Sequence, residues 1–483
     1  MIYELEQLVD VVNLAATDVF NEEELAQLGS DVHDDYEADE KSREEYMKEY
    51  KEWMELANQA KKAKSFPWQG ASNVKYPLLV EGAIQYNARA YPALIQGDRP
   101  VKAYVIGEDP QGQKAASGTR VSKHMSYQLK SDMTEWEPDF DSMLISKAVL
   151  GCMFKKVYYS PRRDRNYSEL VFPEHCVMDY ETRWEDTKRK THLKEYSQSE
   201  ILSEQRAGTF LAVELGEPTL KEGSSGQLTD TTPYIMLEQH RELDLDQDGI
   251  YEPYIVTVEK NSKQVLRVVA NYEVEDIQRN GNEEVVHVNE SEMWVKYTFI
   301  PSLDGSPYDI GLGKLIGPLS NSIDTNINQL NDAGTMSNLQ GGFLGRGARL
   351  KAGDRKFKPG EWKNINATGD DIKKNIFPLP VREPSSVLFQ LLGMMIRQAQ
   401  RIAGTVDSMV GENPGQNQKA TTTVETMKEG RKVSNAIHKR TYRSLEKEFK
   451  LLYRLNARNP DIEGYFNVLD TKEPMQIYAM DYN

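Results

Sequence analysis

The order of elements between Ile310 and Leu455 constrains this chain more than any other feature. It runs helix, compact basic excursion, helix, Gly/Asn/Gln-rich loop, long basic helix. From Ile310 to Asn338, the residues Leu312, Leu315, Ile316, Leu319, Ile323, Ile327 and Leu330 recur at three- and four-residue steps, the stripe of an amphipathic helix. The opposite face, Ser320, Asn321, Asp324, Thr325, Asn328, Asn331 and Asp332, is polar and nearly uncharged. Gly341, Gly342, Gly345 and Gly347 then come too densely for helix to continue. After Pro384 a second stripe follows: Val387, Leu388, Leu391, Leu392, Met395, Ala399, Ile402 and Val406. Beyond a loop from Ser408 to Ala420, Thr422 and Glu425 stand at capping-box spacing and open a helix of about nine turns.

Longer strings in and around this stretch carry a resemblance. Gly311-Leu312-Gly313-Lys314-Leu315-Ile316-Gly317-Pro318-Leu319 and Asn338-Leu339-Gln340-Gly341-Gly342-Phe343 resemble the portal proteins of short-tailed bacteriophages. So do Phe357-Lys358-Pro359-Gly360-Glu361-Trp362, Pro378-Leu379-Pro380-Val381-Arg382-Glu383-Pro384, and Phe66-Pro67-Trp68-Gln69-Gly70-Ala71-Ser72-Asn73-Val74-Lys75-Tyr76-Pro77. The likeness spans residues 65 to 456.

The resemblance implies an α+β portal fold. Its expected parts are a mixed α/β wing (1–308), a first stem helix (309–338), a small α/β clip (339–384) and a second stem helix (385–407). A channel loop (408–420), a long wing helix (421–458) and a tail or start of a crown (459–483) complete it. Relatives continue into a helical crown, so here the crown is expected to be absent or truncated. The function implied is a ring, twelve copies in the family, at one capsid vertex of the virion, assembled in the host cytoplasm. Double-stranded DNA would pass through it without sequence preference during packaging and ejection. The implied partners are the terminase packaging motor, a head-to-tail adaptor or tail proteins, and the major capsid and scaffolding proteins. The family places the loop residues Glu412, Asn413, Gln416, Asn417, Gln418 and Lys419 at the narrowest part of the channel. The reading from a different class is a metal-stabilised structural or adhesion protein of a virion, without a DNA channel.

Charge distribution bears on both readings. The formal net charge of −16 argues against a free nucleic-acid binder if it is evenly spread, but it is concentrated. Residues 1 to 60 carry eighteen acids against Lys41, Arg43, Lys48 and Lys51, so the remainder is close to neutral. The long helix is basic, with ten Lys and Arg from Lys428 to Arg458 opposed by Glu425, Glu429, Glu446 and Glu448. Its cations are read as a solvated face or as partners of the acidic N-terminal arm, ahead of DNA contact. Arg397 and Arg401 stand one turn apart on the second stem helix. They fit either salt bridges to Asp324 or Asp332 or a sparse cationic ring in a channel wall. Two cysteines, Cys152 and Cys176, are too few for a disulfide framework or a zinc site and read as buried thiols.

The rest of the chain reads as follows. Residues 1 to 64 are helical, with sparse apolar positions on a solvated helix from Asp31 to Lys64. Leu78 to Leu94 is a helix and Lys102 to Val105 a short strand. Gly118 to Leu150 is helical with a break near Pro138. Gly151 to Tyr159 and Glu169 to Met178 are β-type, Lys188 to Arg206 is helical, and residues 216 to 232 form a flexible insertion. Tyr234 to Arg241, Tyr254 to Glu259, Val265 to Ala270 and Glu292 to Phe299 alternate as one antiparallel sheet.

The sharpest chemical motif is Asp244-Leu245-Asp246-Gln247-Asp248-Gly249. Three alternating carboxylates before a glycine turn match the first half of a calcium loop. An EF-hand needs a bidentate acid at the twelfth position, where Ile255 stands; Glu252 is the nearest substitute. A structural Ca²⁺ on Asp244, Asp246, Asp248 and Glu252 is one reading, and a bare Asp/Gly hairpin turn is the other. No cofactor is required by any motif. The glycines of 341 to 347 lack the Gly-Lys-Ser/Thr of a phosphate loop, no Gly-x-Ser-x-Gly elbow occurs, and no histidines stand at His-x-x-x-His spacing. The chain is therefore not expected to be an enzyme.

Overall fold

The structure, a computed structural model, describes residues 4–61, 68–95, 97, 99–218, 232–338, 342–344, 376–378, 384–403, 420–459, 462–469 and 474–482. For 342–344, 376–378 and 420–434 only the backbone is described. The chain divides into two compact units: Met1–Met54, Val80–Leu315 and Gly404–Asn483 form the larger, Glu55–Leu79 and Ile316–Ala403 the smaller.

In chain order the helices are α1 (Leu5–Val9), α2 (Glu22–Ser42), α3 (Glu44–Ala57), α4 (Leu78–Leu94), α5 (Gln113–Tyr127) and α6 (Trp136–Leu150). Strands β1 (Cys152–Ser160), β2 (Arg165–Val171), β3 (Cys176–Val177) and β4 (Lys190–Tyr196) precede α7 (Gln198–Ala207). Then come β5 (Tyr234–Leu243), β6 (Glu252–Glu259), β7 (Val265–Ala270), β8 (Ile277–Arg279), β9 (Val285–Val288) and β10 (Trp294–Thr298). The end of the chain holds α8 (Leu312–Asn338), β11 (Gly342–Leu344), β12 (Ile376–Pro378), α9 (Ser386–Ala403), α10 (Ala420–Arg458), β13 (Gly464–Asn467) and β14 (Pro474–Ile477). Helices and antiparallel strands are segregated, so the class is α+β.

Two sheets organise the larger unit. The five-stranded sheet runs β3-β4-β5-β6-β7, antiparallel throughout. One of its faces is covered by the N-terminal helices: Leu5, Leu8, Leu28, Val32 and Tyr36 pack with Leu237, Tyr254, Val256, Val258 and Val268. The other takes Ile201 of α7 and Phe210 against Tyr234, Met236 and Leu266. Every position of β6 is consequently buried, and the alternation expected of it is absent. Gly29 lets α2 approach closely, because a Cβ there would lie 2.0 Å from the Lys263 carbonyl oxygen. At the edge strand, the Asn13 side chain donates to the Leu266 carbonyl (2.9 Å) and accepts from the Val268 amide (3.1 Å), as another strand would.

The second sheet, β10-β1-β2, corrects one expectation: Trp294–Thr298 pairs with Cys152–Lys156 and lies outside the five-stranded sheet. Other corrections are local. Lys190–Tyr196 is a strand paired along its length with β5, and helix begins only at α7. The signal for that start is Ser197-x-x-Glu200, whose side chains and amides cap reciprocally. Residues 102–105 form no strand, because nothing pairs with them; Tyr104 is left 83% exposed. The break between α5 and α6 falls at residues 133–135. Pro138 sits inside the first turn of α6, where a missing N–H breaks no helical bond. Most of the expected insertion at 216 to 232 lies outside the described residues.

The acidic arm is not simply solvated. Besides the α2 residues above, Tyr46, Tyr50 and Trp53 of α3 are buried. Several of its acids pair with the sheet region: Asp35 and Asp39 with Arg189, Asp35 also with Arg241, and Asp34 with Lys263. Cys152 and Cys176 are both free and buried, as expected.

A buried histidine joins the two sheets. His240 of β5 is 2% exposed; its Nε2 accepts from Trp294 Nε1 of β10 at 3.2 Å, and its Nδ1 lies 3.6 Å from Glu290. Accepting from an indole requires a neutral ring. Burial, reinforced by Lys156, pushes the pKa of His240 down to about 4 from its ordinary 6.5. The folded state thus binds fewer protons than the unfolded state between those values, so stability contributed here is present above pH 6.5 and lost as pH falls towards 4. Relative to a His240→Gln variant, the wild type should lose roughly 3 kcal/mol across that window. Parallel urea titrations at pH 7 and pH 4 measure this, and an unchanged difference between the two proteins would refute it.

Candidate functional site

The first candidate is the connection between β5 and β6. Strand register places Leu243 opposite Glu252, so the hairpin folds Glu252 back beneath the loop from Asp244 to Tyr251. The loop is tightened by its own carboxylates: Asp244 Oδ2 accepts from the Gly249 amide (3.1 Å), Asp246 Oδ1 from Asp248 (3.2 Å) and Asp248 Oδ1 from Ile250 (2.7 Å). Gln247 and Gly249 both take positive φ. One carboxylate oxygen from each of Asp244, Asp246, Asp248 and Glu252 lies within 4.8 Å of the others. The four residues singled out in the sequence are therefore brought together, with Glu252 supplied by a returning strand where an EF-hand would use a helix. Burial, then the Asp246 charge, pushes the Glu252 carboxyl up to about 8. Burial likewise raises Asp246.

The second candidate is the helical part of the smaller unit. α8 begins within two residues of the expected start, and β11 pairs with β12 in a short antiparallel ladder ahead of α9. The apolar and polar faces of α8 do not divide as solvent and core. Ser320, Asp324, Asn328 and Asp332 are buried, whereas Leu315 is 41% exposed. The reason is an extended segment, residues 72–76, laid along the helix. Tyr76 N donates to Asp324 Oδ1 (2.8 Å), Val74 N to Asn328 Oδ1 (2.7 Å) and Ser72 N to Asp332 Oδ1 (2.7 Å). Asn328 Nδ2 completes the pair by donating to the Val74 carbonyl at 3.0 Å. The periods match: four residues of helix rise about 6 Å and two of extended chain about 6.6 Å. Helix residues four apart thus meet alternate amides of the segment. Lys75 supplies the counter-charge to Asp324 at 3.1 Å. This ladder was missed in the sequence, although Asp324-x-x-x-Asn328-x-x-x-Asp332 was visible as a column.

On α9, Leu388, Leu392 and Met395 are half-buried and Ala399 is buried, while a flanking stripe stands open: Val387 is 70% exposed, Met394 57% and Leu391 39%, with Phe389 at 70%. Arg397 and Arg401 are exposed one turn apart beside this stripe. Arg397 Nε donates to the Gly393 carbonyl of its own helix. Among the described residues neither arginine makes the salt bridge to Asp324 or Asp332 considered for it. The loop residues Glu412, Asn413, Gln416, Asn417, Gln418 and Lys419 lie outside the described residues, as does most of the excursion between β11 and β12.

Neither the protein-family models nor the curated proteins compared with the chain match it.

The ladder makes Asn328 the residue that holds both an amide and a carbonyl of the segment. Asn328→Ala should cost about 1–3 kcal/mol, since two part-buried hydrogen bonds to the Val74 backbone are lost at about 0.5–1.5 kcal/mol each. Hydrogen exchange should quicken most at the Val74 amide and less at Ser72 and Tyr76. Uniform acceleration of all three, or none, would refute the ladder.

Proposed function

We propose that this chain is a portal subunit: a ring-forming conduit for double-stranded DNA at a capsid vertex, serving packaging and ejection without performing a reaction of its own. The observation that carries the reading is α9. It is an amphipathic helix with more apolar surface than the described residues of its own unit cover, and large exposed apolar stripes mark association surfaces. A head-to-tail ring buries one such patch on every copy against a different patch of the next, and closure leaves none open. The portal-like strings support the same reading. They include the segment 72–76 and α8, which the ladder joins, and they bracket the β11–β12 hairpin between two helices, where the family has its clip. The terminase motor, tail adaptor, scaffolding and major capsid proteins follow as partners in this proposal, and twelve as the copy number.

In such a ring the contact face would be α9 and not the polar column of α8. Asp324, Asn328 and Asp332 are engaged within the subunit, which leaves the stripe Val387, Leu391, Met394 as the surface for the neighbour. Arg397 and Arg401, beside it, are the cations that would line the channel. Exposed arginines make weak, exchangeable phosphate contacts that suit passage of DNA.

Negative-stain electron microscopy of the purified chain tests the proposal directly. Rings with a central hole are expected; a monodisperse particle of one copy at every concentration and salt would overturn it. It would favour the channel-free virion protein instead. Met394→Glu should leave the monomer folded and block ring closure.

A separate test addresses the loop Ser408 to Ala420. Its amides Asn413, Gln416, Asn417 and Gln418, with Lys419 as the cation and Glu412 as the acid, suit loose contact with passing phosphates. Deleting about four residues should preserve rings, because loop length changes closure entropy slowly. Capsids carrying the deletion should fill poorly or leak DNA; normal filling would remove the loop from the channel.

A further inference from the structure

We infer that the β5–β6 hairpin is a calcium site, with Asp244, Asp246, Asp248 and Glu252 as its protein ligands. The acidic motif alone would not carry this, because Asp-rich turns are common without a metal. Three further observations do. The Glu252 side chain is fully buried, and its Oε1, which has no hydrogen-bond partner, belongs to a carboxylate set in the cluster. Asp244 Oδ1 is likewise buried without a partner. Among the described residues no Lys, Arg or His pairs with any of the four acids, whereas Glu448 and Asp309, also buried in this unit, each have a lysine within reach, and Asp39 and Asp481 an arginine. A buried carboxylate without a counter-charge is costly, and four converging ones more so. A bound cation supplies what the chain does not.

The donor chemistry of the cluster selects among ions. All-carboxylate oxygen donors favour a hard cation over zinc, which takes nitrogen and sulfur. Oxygens on opposite sides of Ca²⁺ stand about 4.6–5.2 Å apart, twice a bond of 2.3–2.6 Å; around Mg²⁺ they must close to about 4.0–4.2 Å. The four oxygens all lie within 4.8 Å of one another, close enough to share one Ca²⁺ sphere. The site joins the mouth of the β5–β6 hairpin and lies next to Tyr254, whose hydroxyl is 3.5 Å from Glu252 Oε2. Its role is to clamp that end of the sheet.

The test uses the full chain, stripped with chelator and titrated with Ca²⁺, Mg²⁺ or Tb³⁺. One Ca²⁺ per chain should bind and raise the melting temperature. At a hundredfold excess over Kd, the folding equilibrium constant should rise about a hundredfold. Tb³⁺ should show tyrosine-sensitised emission through Tyr254 that Ca²⁺ competes away. Asp246→Asn, of nearly the same shape, should abolish both effects and still fold. Glu252→Gln should melt in chelator at or above the wild-type temperature, because it removes one of four crowded charges. A wild-type melting curve indifferent to millimolar Ca²⁺, or a calcium response retained by Asp246→Asn, overturns the site. A response to Mg²⁺ equal to that of Ca²⁺ overturns the choice of ion. None of these outcomes depends on whether the chain forms rings.

Discussion

The larger unit depends on how one carboxylate is buried. Glu448 lies in the C-terminal half of α10 and is completely enclosed. It accepts from Trp136 Nε1 of α6 (2.7 Å), Ser168 Oγ of β2 (2.6 Å), Lys155 Nζ of β1 (3.1 Å) and the Tyr297 hydroxyl of β10. Burial opposes its charge, but Lys155 and these donors outweigh burial and hold its pKa below the ordinary carboxylate range. Thr441, Leu445, Leu452 and Asn456 extend the same buried stripe up and down the helix. Lys147 meets Thr441, while Gln128 and Asn166 meet Asn456 at 3.0–3.1 and 2.7 Å. An all-apolar stripe would tolerate a slip of one turn; this one would leave an uncompensated charge and several amides unpaired, each a large penalty in a dry interior. The polar members therefore index α10 against both α6 and the three-stranded sheet. From Thr441 the helical backbone continues back to Ala420, about 30 Å at 1.5 Å per residue.

The smaller unit uses polar side chains in a different way. In the ladder between α8 and residues 72–76, acids and an amide substitute for a neighbouring strand, so an extended segment gains backbone partners without joining a sheet. For the proposed assembly the consequence would be a division of labour. The uncharged polar column of α8, which by composition looks like a surface awaiting another subunit, is consumed internally. The apolar stripe of α9, which by composition looks like core, is the part left open.

That inversion marks the limit of what was legible in the sequence. Periodicity located α4 at its observed bounds, α8 and α9 closely, and β1 almost to the residue, because each carries a stripe or a valine- and aromatic-rich run that one environment explains. It failed at Lys190–Tyr196, where charged residues stand in a strand whose lysine and histidine side chains are buried in pairings with β5 neighbours such as Glu238. It failed again for β10, since alternation shows that a segment is a strand and not which sheet it joins. The Asp244–Gly249 motif was legible because its chemistry is local in the chain. The Glu448 network was not: its partners come from four elements up to 312 residues away, and a lone glutamate on a basic helix reads as surface charge.

The uneven charge of the chain invites an electrostatic account of the N-terminal arm, and magnitudes decide against it. Several of the arm's ion pairs, Lys263–Asp34 and Arg279–Glu6 among them, are solvent-exposed and contribute about 0–1 kcal/mol each, whereas Arg189–Asp39 and Arg43–Glu40 are partly buried. Each fully buried apolar side chain of α1 and α2 contributes about 1.5–3 kcal/mol, and Leu5, Leu8, Leu28 and Val32 are all in that class. The fit of α2 to the β6–β7 turn at Gly29 is a steric condition that no charge can replace. Exposed acids of the arm such as Glu22 and Glu23 make no ion pair among the described residues, and neither do the exposed Lys439, Arg443 and Arg454 on α10. Surface charge of both signs that the subunit does not use internally is the material from which contacts between copies, or with a polyanion, can be made. In the proposed ring such contacts would act over roughly 8 Å at physiological ionic strength, orienting an approaching copy, while the apolar stripe of α9 would supply the binding energy.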